Sequence, residues 1–228
     1  MKKIRLITAG FQTQNTQLQI MSPLIYKDYI IDLAFYNDGN TLSRINSLHP
    51  RLKSKIPKMM EWKFHPDYDY YIWVDSKFIL YEGFLSYIMQ YENQADLSLF
   101  QHQKRSSIKV EMDYMDAKMK NGDLYLNYRY EGEQMREQVN SYLDDVNFID
   151  NQLFYGGCFM YSKKLVENKD YNMMSDWLLQ CVLYSTQDQL PLPYLLYKHK
   201  VNYKAYSGDL LNNDFMIHGL VQKYKKNR

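Results

Sequence analysis

Residues 70–80, Tyr-Tyr-Ile-Trp-Val-Asp-Ser-Lys-Phe-Ile-Leu, form an apolar run that is interrupted by one carboxylate, Asp75. Aromatic and β-branched side chains favour strands, so we predict a buried strand that ends at Asp75. In an open α/β sheet, ligands bind beyond the carboxyl ends of the strands. Asp75 is therefore a candidate binding residue, although an acid that caps a following helix is the simpler alternative.

Other apolar runs of strand length end at polar turns of the same kind. Residues 4–9 lead into Gly10 and a polar loop, and residues 30–36 lead into residues 37–40, Asn-Asp-Gly-Asn. A fourth strand is predicted over residues 96–100. Helical patterns separate these strands, which favours an α/β fold with a mostly parallel central sheet and crossover helices.

One crossover helix and one insertion complete the predicted order of elements. A short helix is expected over residues 53–62, between the second and third strands. Residues 101–147 are charged and rich in Met and Tyr, with helical spacing over residues 108–120 and 133–143. We predict an inserted pair of helices, with the turn between them at Asn121-Gly122.

Beyond the insertion, residues 153–161 resume strand character around Gly156-Gly157. Glycines within a strand mark a bend or the close approach of a backbone or a ligand, and an ordinary β-bulge is the alternative. A helix is expected from residue 175 to about residue 185. The whole chain, residues 1–228, is predicted to form a single domain, with residues 101–147 as its helical insertion.

Composition restricts the class of protein. A formal net charge of +2 over 228 residues gives no electrostatic case for nucleic-acid binding. Cys158 and Cys181 form neither a disulfide framework nor a metal-binding pair, which suits a cytoplasmic protein. The first apolar run is too short for a signal peptide or a membrane span. The basic residues 223–228 are a candidate for peripheral membrane contact.

Carboxylates at strand ends suit a ribose hydroxyl, a nucleobase N–H group or a divalent cation that bridges phosphates. The glycine patterns GxGxxG and GxxxxGK[ST] do not occur in the sequence. Their absence argues against dinucleotide oxidoreductases and P-loop NTPases. A nucleotide-like ligand is therefore expected, with its phosphates held by another arrangement.

The order of these motifs resembles that of GT-A-type nucleotide-sugar glycosyltransferases. More narrowly, it is similar to a polysaccharide-associated glycosyltransferase-like family long classed as a domain of unknown function. Residues 72–77, Ile-Trp-Val-Asp-Ser-Lys, resemble the Ile-Trp-Ile-Asp-Ala-Lys segment of that family. His102 with Glu111 resembles its His and acidic stretch, and residues 187–189, Gln-Asp-Gln, resemble its Arg-Asp-Gln motif.

The resemblance implies a Rossmann-like GT-A fold and a metal-binding element of the Asp-x-Asp type that Asp75 opens. Lys77 stands where a second Asp is expected, which removes an oxygen ligand and adds a cation. Residues 216–223 resemble the terminal His-Gly-x-x-Lys element of glycogenin-like transferases. In that element the His, here His218, binds the metal, and the Lys, here Lys223, binds a phosphate. The implied cofactor is Mn²⁺ or Mg²⁺.

The predicted site has donor, metal, acceptor and catalytic parts. Asp75 and His218 are predicted to hold the metal, and His102 and Trp177 to contact the acceptor. Asp188 is the candidate general base of an inverting reaction, or the residue that orients the sugar in a retaining one. The predicted donor-binding residues are Thr8, Ala9, Gly10, Asp38, Asp75, Ser76, Lys77, Gly156, Gly157 and Lys223.

The predicted function is transfer of a hexosyl or deoxyhexosyl group from a nucleoside diphosphate sugar to a glycan hydroxyl, in polysaccharide or surface-glycan synthesis. A non-catalytic glycan- or nucleotide-binding module on the same fold is one alternative. A nucleotidyltransferase, which would release pyrophosphate, is another. Structural explanations are also open for single residues: Asp38 fits an ordinary turn, and Trp177 is more often a core residue.

Overall fold

The computed structural model describes residues 1–12, 18–168 and 171–219. None of the helices in these residues is long and apolar enough to cross a bilayer. The strands are β1 (Lys3–Ala9), β2 (Gln19–Ile20), β3 (Ile30–Tyr36), β4 (Tyr70–Val74), β5 (Phe78–Leu80), β6 (Leu97–Gln101), β7 (Phe154–Ser162), β8 (Tyr203–Tyr206) and β9 (Met216–His218). The helices are α1 (Ser43–Asn46), α2 (Pro50–Phe64), α3 (Phe84–Ile88), α4 (Ile108–Lys120), α5 (Leu124–Tyr130), α6 (Met135–Leu143), α7 (Met173–Leu183) and α8 (Leu192–Lys198).

A six-stranded sheet in the order β3-β1-β4-β7-β6-β8 forms the centre of an α/β domain. β7 runs antiparallel to both of its neighbours, β4 and β6, whereas the other pairs of neighbouring strands are parallel. Five strands therefore share one direction, which confirms the predicted mostly parallel sheet. A smaller sheet of β2, β5 and β9 lies beside it.

The position of β4 explains its sequence. It pairs with β1 on one side and β7 on the other, and all five of its residues are buried. A strand covered on both faces carries an unbroken apolar run instead of an alternating one. Because β1 and β4 are parallel and β7 is antiparallel, the carboxyl ends of β1 and β4 meet the amino-terminal half of β7. Gly10, Asp75 and Gly157 thus reach one edge of the sheet, where the Asp75 amide donates to the Gly157 carbonyl at 2.8 Å.

Two apolar layers cover the faces of the sheet. On one face α2, α7 and α8 pack, with Met59, Trp177 and Leu195 fully buried. On the other face β5, β9 and α3 pack, with Phe78 and Met216 in the core. The α2 helix is longer than predicted because Pro50 occupies its first turn, where a missing amide hydrogen costs nothing.

The insertion contains three helices, α4, α5 and α6, so the predicted pair is wrong by one helix. The predicted turn at Asn121-Gly122 is present, and the Asp123 side chain then caps α5 by accepting from the Leu126 amide at 3.0 Å. Only one residue of α5, Tyr130, is buried, so this helix has no apolar stripe that a sequence pattern could reveal. The insertion packs on Leu190, next to the turn that carries Asp188.

Candidate active site

A cavity of about 400 Å³ opens at the carboxyl ends of β1 and β4. Helix α2, helix α5 of the insertion, β7 and the turn of residues 187–189 complete its wall. The predicted residues that line it are Ala9, Gly10, Asp75, Ser76, Lys77, Gly156, Gly157 and Asp188. The edge of the sheet that the sequence indicated therefore borders a cavity of a size that suits a small-molecule ligand.

The two glycines of β7 make room for the two carboxylates of the cavity. A Cβ atom at Gly156 would lie 2.7 Å from Asp188 Oδ1 and 3.1 Å from Lys58 Nζ. A Cβ atom at Gly157 would lie 3.3 Å from Asp75 Oδ2. The double glycine thus allows Asp188 and Asp75 to approach the backbone of the strand from its two faces.

Asp188 is held by two buried lysines of α2. Its Oδ2 atom accepts hydrogen bonds from Lys55 Nζ and, at 2.6 Å, from Lys58 Nζ. Burial alone would raise the pKa of Asp188, but the ammonium groups of Lys55 and Lys58 hold it well below its usual range. Asp188 is therefore ionised at neutral pH, and its lowered pKa makes it a weak proton acceptor.

The turn that presents Asp188 is fixed from behind by Trp177. The Trp177 Nε1 atom donates to the Asp188 carbonyl at 2.8 Å, and its ring, fully buried, packs on Phe159. The prediction that Trp177 contacts the acceptor is wrong, because no part of its side chain reaches the surface. Its indole N–H instead contacts the backbone of residue 188.

Asp75 has both carboxylate oxygens engaged. Trp73 Nε1 donates to Oδ1 at 2.9 Å, and Lys77 Nζ lies 3.3 Å from Oδ2. Burial opposes ionisation, but Lys77 and Lys58 lower the pKa of Asp75 overall. Lys77 is half exposed and lines the cavity, so it faces the site where a second acid was expected.

The described residues do not fit the predicted Mn²⁺ or Mg²⁺ site. His218 packs its ring edge against Phe78, with ring centroids 5.5 Å apart, and its pKa is lowered by burial and by Lys77 while Asp75 opposes them. Within residues 1–12, 18–168 and 171–219, no three His, Cys, Asp or Glu side chains cluster as metal ligands would. Hard divalent cations prefer several oxygen ligands, whereas an indole N–H and a lysine already contact the carboxylate of Asp75.

Basic side chains dominate the wall of the cavity. Among the described residues that line it, five side chains are cationic and two are anionic. Three of the cations, Arg51, Lys55 and Lys58, follow one another along α2 at intervals of four and three residues, which places them on one face of the helix. This spacing is the signal in the sequence from which the basic face of α2 is predictable. Arg129 is contributed by α5.

Two arginines are fixed around one buried aromatic ring. The Arg51 guanidinium lies 5.1 Å from the Tyr130 ring centroid, and its Nη2 atom donates to Glu133 Oε1 at 3.1 Å. Arg129 Nε donates to the Tyr130 hydroxyl at 2.8 Å, and its Nη1 donates to the Tyr125 hydroxyl at 2.6 Å. The insertion thus orders two cations of the cavity before any ligand arrives.

His102 lies behind the cavity wall. Its ring stacks on Tyr155, which lines the cavity, with centroids 4.4 Å apart. The Nδ1 atom accepts from the amides of Lys104 at 3.1 Å and Arg105 at 3.0 Å. Burial, together with Arg105, lowers the pKa of His102 to about 4, so the ring is neutral near pH 7. His102 therefore contacts the cavity wall through Tyr155 and does not itself line the cavity.

The remaining predicted residues lie away from the cavity or outside the described part of the chain. Thr8 is fully buried inside the sheet. Asp38 is exposed, and its carboxylate accepts from the Gln12 amide at 2.8 Å and from Lys53 Nζ at 2.7 Å. It fixes the loop after β1, as a turn residue would. Lys223 and the basic residues 223–228 lie outside the described residues.

Solved structures with a similar chain path include several glycosyltransferases. The bifunctional glycosyltransferase WbbM matches 90% of this chain at 10% identity and a TM-score of 0.45, and the match spans 38% of WbbM. Mouse xyloside xylosyltransferase 1 matches 89% of this chain and 84% of its own at 7% identity, with a TM-score of 0.45. A glycosyltransferase involved in glycosylation of the major capsid of PBCV-1 matches 94% of this chain and 91% of its own at 9% identity, with a TM-score of 0.46.

The family of the chain is shown by its sequence. No curated protein matches the chain. The model of the TOD1/MUCI70 glycosyltransferase-like domain matches residues 42–207, which is well over half of the 228 residues. The matched range includes α2, the insertion, Asp75, the double glycine and Asp188. The chain therefore belongs to the TOD1/MUCI70 glycosyltransferase-like domain family.

Proposed function

We propose that this protein transfers a hexosyl or deoxyhexosyl group from a nucleoside diphosphate sugar to a hydroxyl group of a glycan, in polysaccharide or surface-glycan synthesis. Membership of a glycosyltransferase-like family supports sugar transfer. The excess of cationic side chains around the cavity is the observation that supports a nucleoside diphosphate sugar as the donor. Negative charge develops on the diphosphate as the glycosidic bond breaks, and fixed cations stabilise that charge.

Of the two roles predicted for Asp188, general base or residue that orients the sugar, we propose the second. Two lysines keep its carboxylate ionised, which opposes proton abstraction from the acceptor. An ionised carboxylate beside Gly156 suits a hydrogen bond from a hydroxyl group of the donor sugar, and it also anchors Lys55 and Lys58. We therefore assign Asp188 to orienting the donor sugar, as in a retaining reaction.

Tyr155 is the proposed contact for the acceptor. Aromatic rings bind the apolar faces of sugars, and a tyrosine hydroxyl adds a polar contact. Tyr155 lines the cavity while its other face rests on His102. His102 is then a positioning residue for acceptor binding, not a direct ligand.

The decisive experiment is a screen of nucleoside diphosphate sugars, with release of nucleoside diphosphate measured by chromatography. Slow release without acceptor, accelerated by a glycan, supports the transferase. Donor binding with no release under any condition would instead identify a non-catalytic binding module. Release of pyrophosphate from a nucleoside triphosphate and a sugar phosphate would identify a nucleotidyltransferase.

We also propose that the protein is located in the cytoplasm. Cys158 and Cys181 are both buried and unbridged, which suits a reducing compartment such as the cytoplasm. The basic residues 223–228 would then meet anionic lipid at the cytoplasmic face of a membrane. Fractionation of cells that express the chain with and without these residues tests both parts.

A further inference from the structure

We infer that the donor's diphosphate is held by the basic side chains of α2 and α5, with Lys58, Arg51 and Arg129 as its principal ligands, and that this binding needs no divalent cation. The inference rests on the proposed nucleoside diphosphate donor and names what holds it. It concerns residues that the sequence motifs did not single out.

The first observation is that two buried lysines share a single carboxylate as their contact. Lys55 and Lys58 are 7% and 3% exposed and both contact one carboxylate, Asp188, so with both ammonium groups protonated the triad carries one more positive than negative charge, and only the more distant Asp75 carboxylate of the described cavity lining also acts on both lysines. Each ammonium group has three N–H donors, and Asp188 Oδ2 is the hydrogen-bond acceptor that both contact in the described part of the chain. A buried charge without a partner is costly, and a bound anion would remove that cost.

The placement of Lys58 directs this charge toward the cavity. Its Nζ atom lies 5.3 Å from the Trp73 ring centroid and 5.8 Å from that of Trp177, and it also lines the cavity. Burial, together with Lys55, lowers the pKa of Lys58, while the Asp188 and Asp75 carboxylates oppose that change and a bound phosphate would oppose it further. A phosphate there would meet a cation already fixed by its neighbours.

The second observation is an arginine with unused hydrogen-bonding capacity. Arg51 Nη1 is buried and has no hydrogen-bond partner among the described residues, although its Nη2 atom is anchored on Glu133. Arg51 and Arg129 line the same wall, with their guanidinium groups 5.1 Å and 5.3 Å from the Tyr130 ring centroid. Pre-ordered guanidinium groups suit the oxygens of a phosphate, because little side-chain entropy remains to be lost on binding.

The surroundings of Asp75 also favour binding of the diphosphate without a divalent cation. The Asp75 carboxylate is already shared by Trp73 and Lys77. A divalent cation at that oxygen would lie beside the Lys77 ammonium group and would have to displace it. A phosphate oxygen, by contrast, would add a favourable partner for Lys77.

The test is calorimetric titration of uridine diphosphate and guanosine diphosphate into the full chain, once in EDTA and once in Mn²⁺. We expect at least one nucleotide to bind in EDTA, with a dissociation constant that Mn²⁺ changes by less than about threefold. Lys58→Met should weaken that binding by about 10- to 100-fold, the usual effect of losing a hydrogen bond to a charged group. Lys63→Met, at an exposed position of the same helix, is the matched control and should leave it unchanged.

Arg129→Gln provides a second variant at a part-exposed position, with exposed Lys120→Gln of α4 as its control. Weaker nucleotide binding in Arg129→Gln alone supports the contribution of the insertion. Binding that requires Mn²⁺, or that survives both Lys58→Met and Arg129→Gln, overturns the inference while leaving the proposed function intact. If neither nucleotide binds in either buffer, the inference fails, and the proposed donor class fails for uridine and guanosine donors.

Discussion

The carboxylate of Asp188 lies so close to the backbone of Gly156 that a Cβ atom there would stand 2.7 Å from Oδ1. Gly156→Ala should therefore displace Asp188 and, with it, the two lysines that it anchors. We expect a loss of about 1–3 kcal/mol in the free energy of unfolding, the usual cost of overpacking a filled site. Urea denaturation measures this, and nucleotide titration should show weaker binding in the same variant.

Gly157→Ala is the control for that prediction. Its Cβ atom would meet Asp75, Leu210 and Phe78 at 3.3 Å, a distance that small side-chain movements can absorb. This variant should lose clearly less stability than Gly156→Ala. Equal losses in the two variants would show that the contact with Asp188 is not what requires a glycine at position 156.

The edge of the sheet was predictable because local patterns determine it. Apolar runs that stop at Gly10, at residues 37–40 and at Asp75 mark the ends of three strands, and parallel strands bring such ends together. The partners of Asp188 were not predictable in this way. Lys55 and Lys58 are 133 and 130 residues from it along the chain, and no sequence period connects positions so far apart.

The triad of Lys55, Lys58 and Asp188 leads to opposite predictions for the loss of a lysine and the loss of the aspartate. Lys58→Met removes the surplus charge and leaves Asp188 paired with Lys55, so the free energy of unfolding should change by no more than about 1 kcal/mol. Asp188→Asn leaves two buried lysines without a counter-charge and should cost about 3–5 kcal/mol. Urea denaturation at neutral pH compares the two. A stable Asp188→Asn protein, or an equally unstable Lys58→Met protein, would contradict the charge arrangement described for this site.

The insertion shows a second limit of sequence patterns. Helices α4 and α6 bury several apolar residues at helical spacing, and both were predicted at nearly their observed bounds. Helix α5 buries Tyr130 and otherwise offers exposed side chains, so its periodicity is uninformative. The same helix supplies Arg129 to the cavity. Because α5 was not predicted, the contribution of Arg129 to the cavity was not predicted either. Asp123, which caps α5, was the residue in the sequence that could have indicated this helix.

His102 should make stability depend on pH in a defined direction. Its pKa is about 4 in the folded protein and about 6.5 when unfolded, so between these values the unfolded chain binds a proton that the folded chain does not. Stability is then lost as the pH falls through this window. Allowing for partial solvent screening, we expect His102 to contribute about 1–2 kcal/mol of loss between pH 7 and pH 5.

His102→Asn is the variant that isolates this effect. An Asn side chain can accept from the amides of residues 104 and 105 as the imidazole does, but it does not titrate. The unfolding free energy of the variant should fall less steeply with acidification than that of the wild type. Parallel curves for the two proteins would show that His102 is not the titrating group.

The last prediction concerns Lys77, which stands where a second acid was expected. Lys77→Asp restores an Asp-x-Asp element, while it removes a cation from the cavity and places a second carboxylate beside Asp75. In EDTA its affinity for a nucleoside diphosphate should fall by about tenfold, since like charges now face the phosphates. Mn²⁺ should restore much of that affinity, because two carboxylates and the diphosphate together offer the oxygen ligands that the wild-type cavity lacks.

Lys77→Met is the matched control: it loses the cation without gaining a ligand, so its weaker binding should not respond to Mn²⁺. If Mn²⁺ fails to rescue Lys77→Asp, or strengthens binding equally in the wild type and Lys77→Met, residue 77 does not determine how this cavity neutralises phosphate.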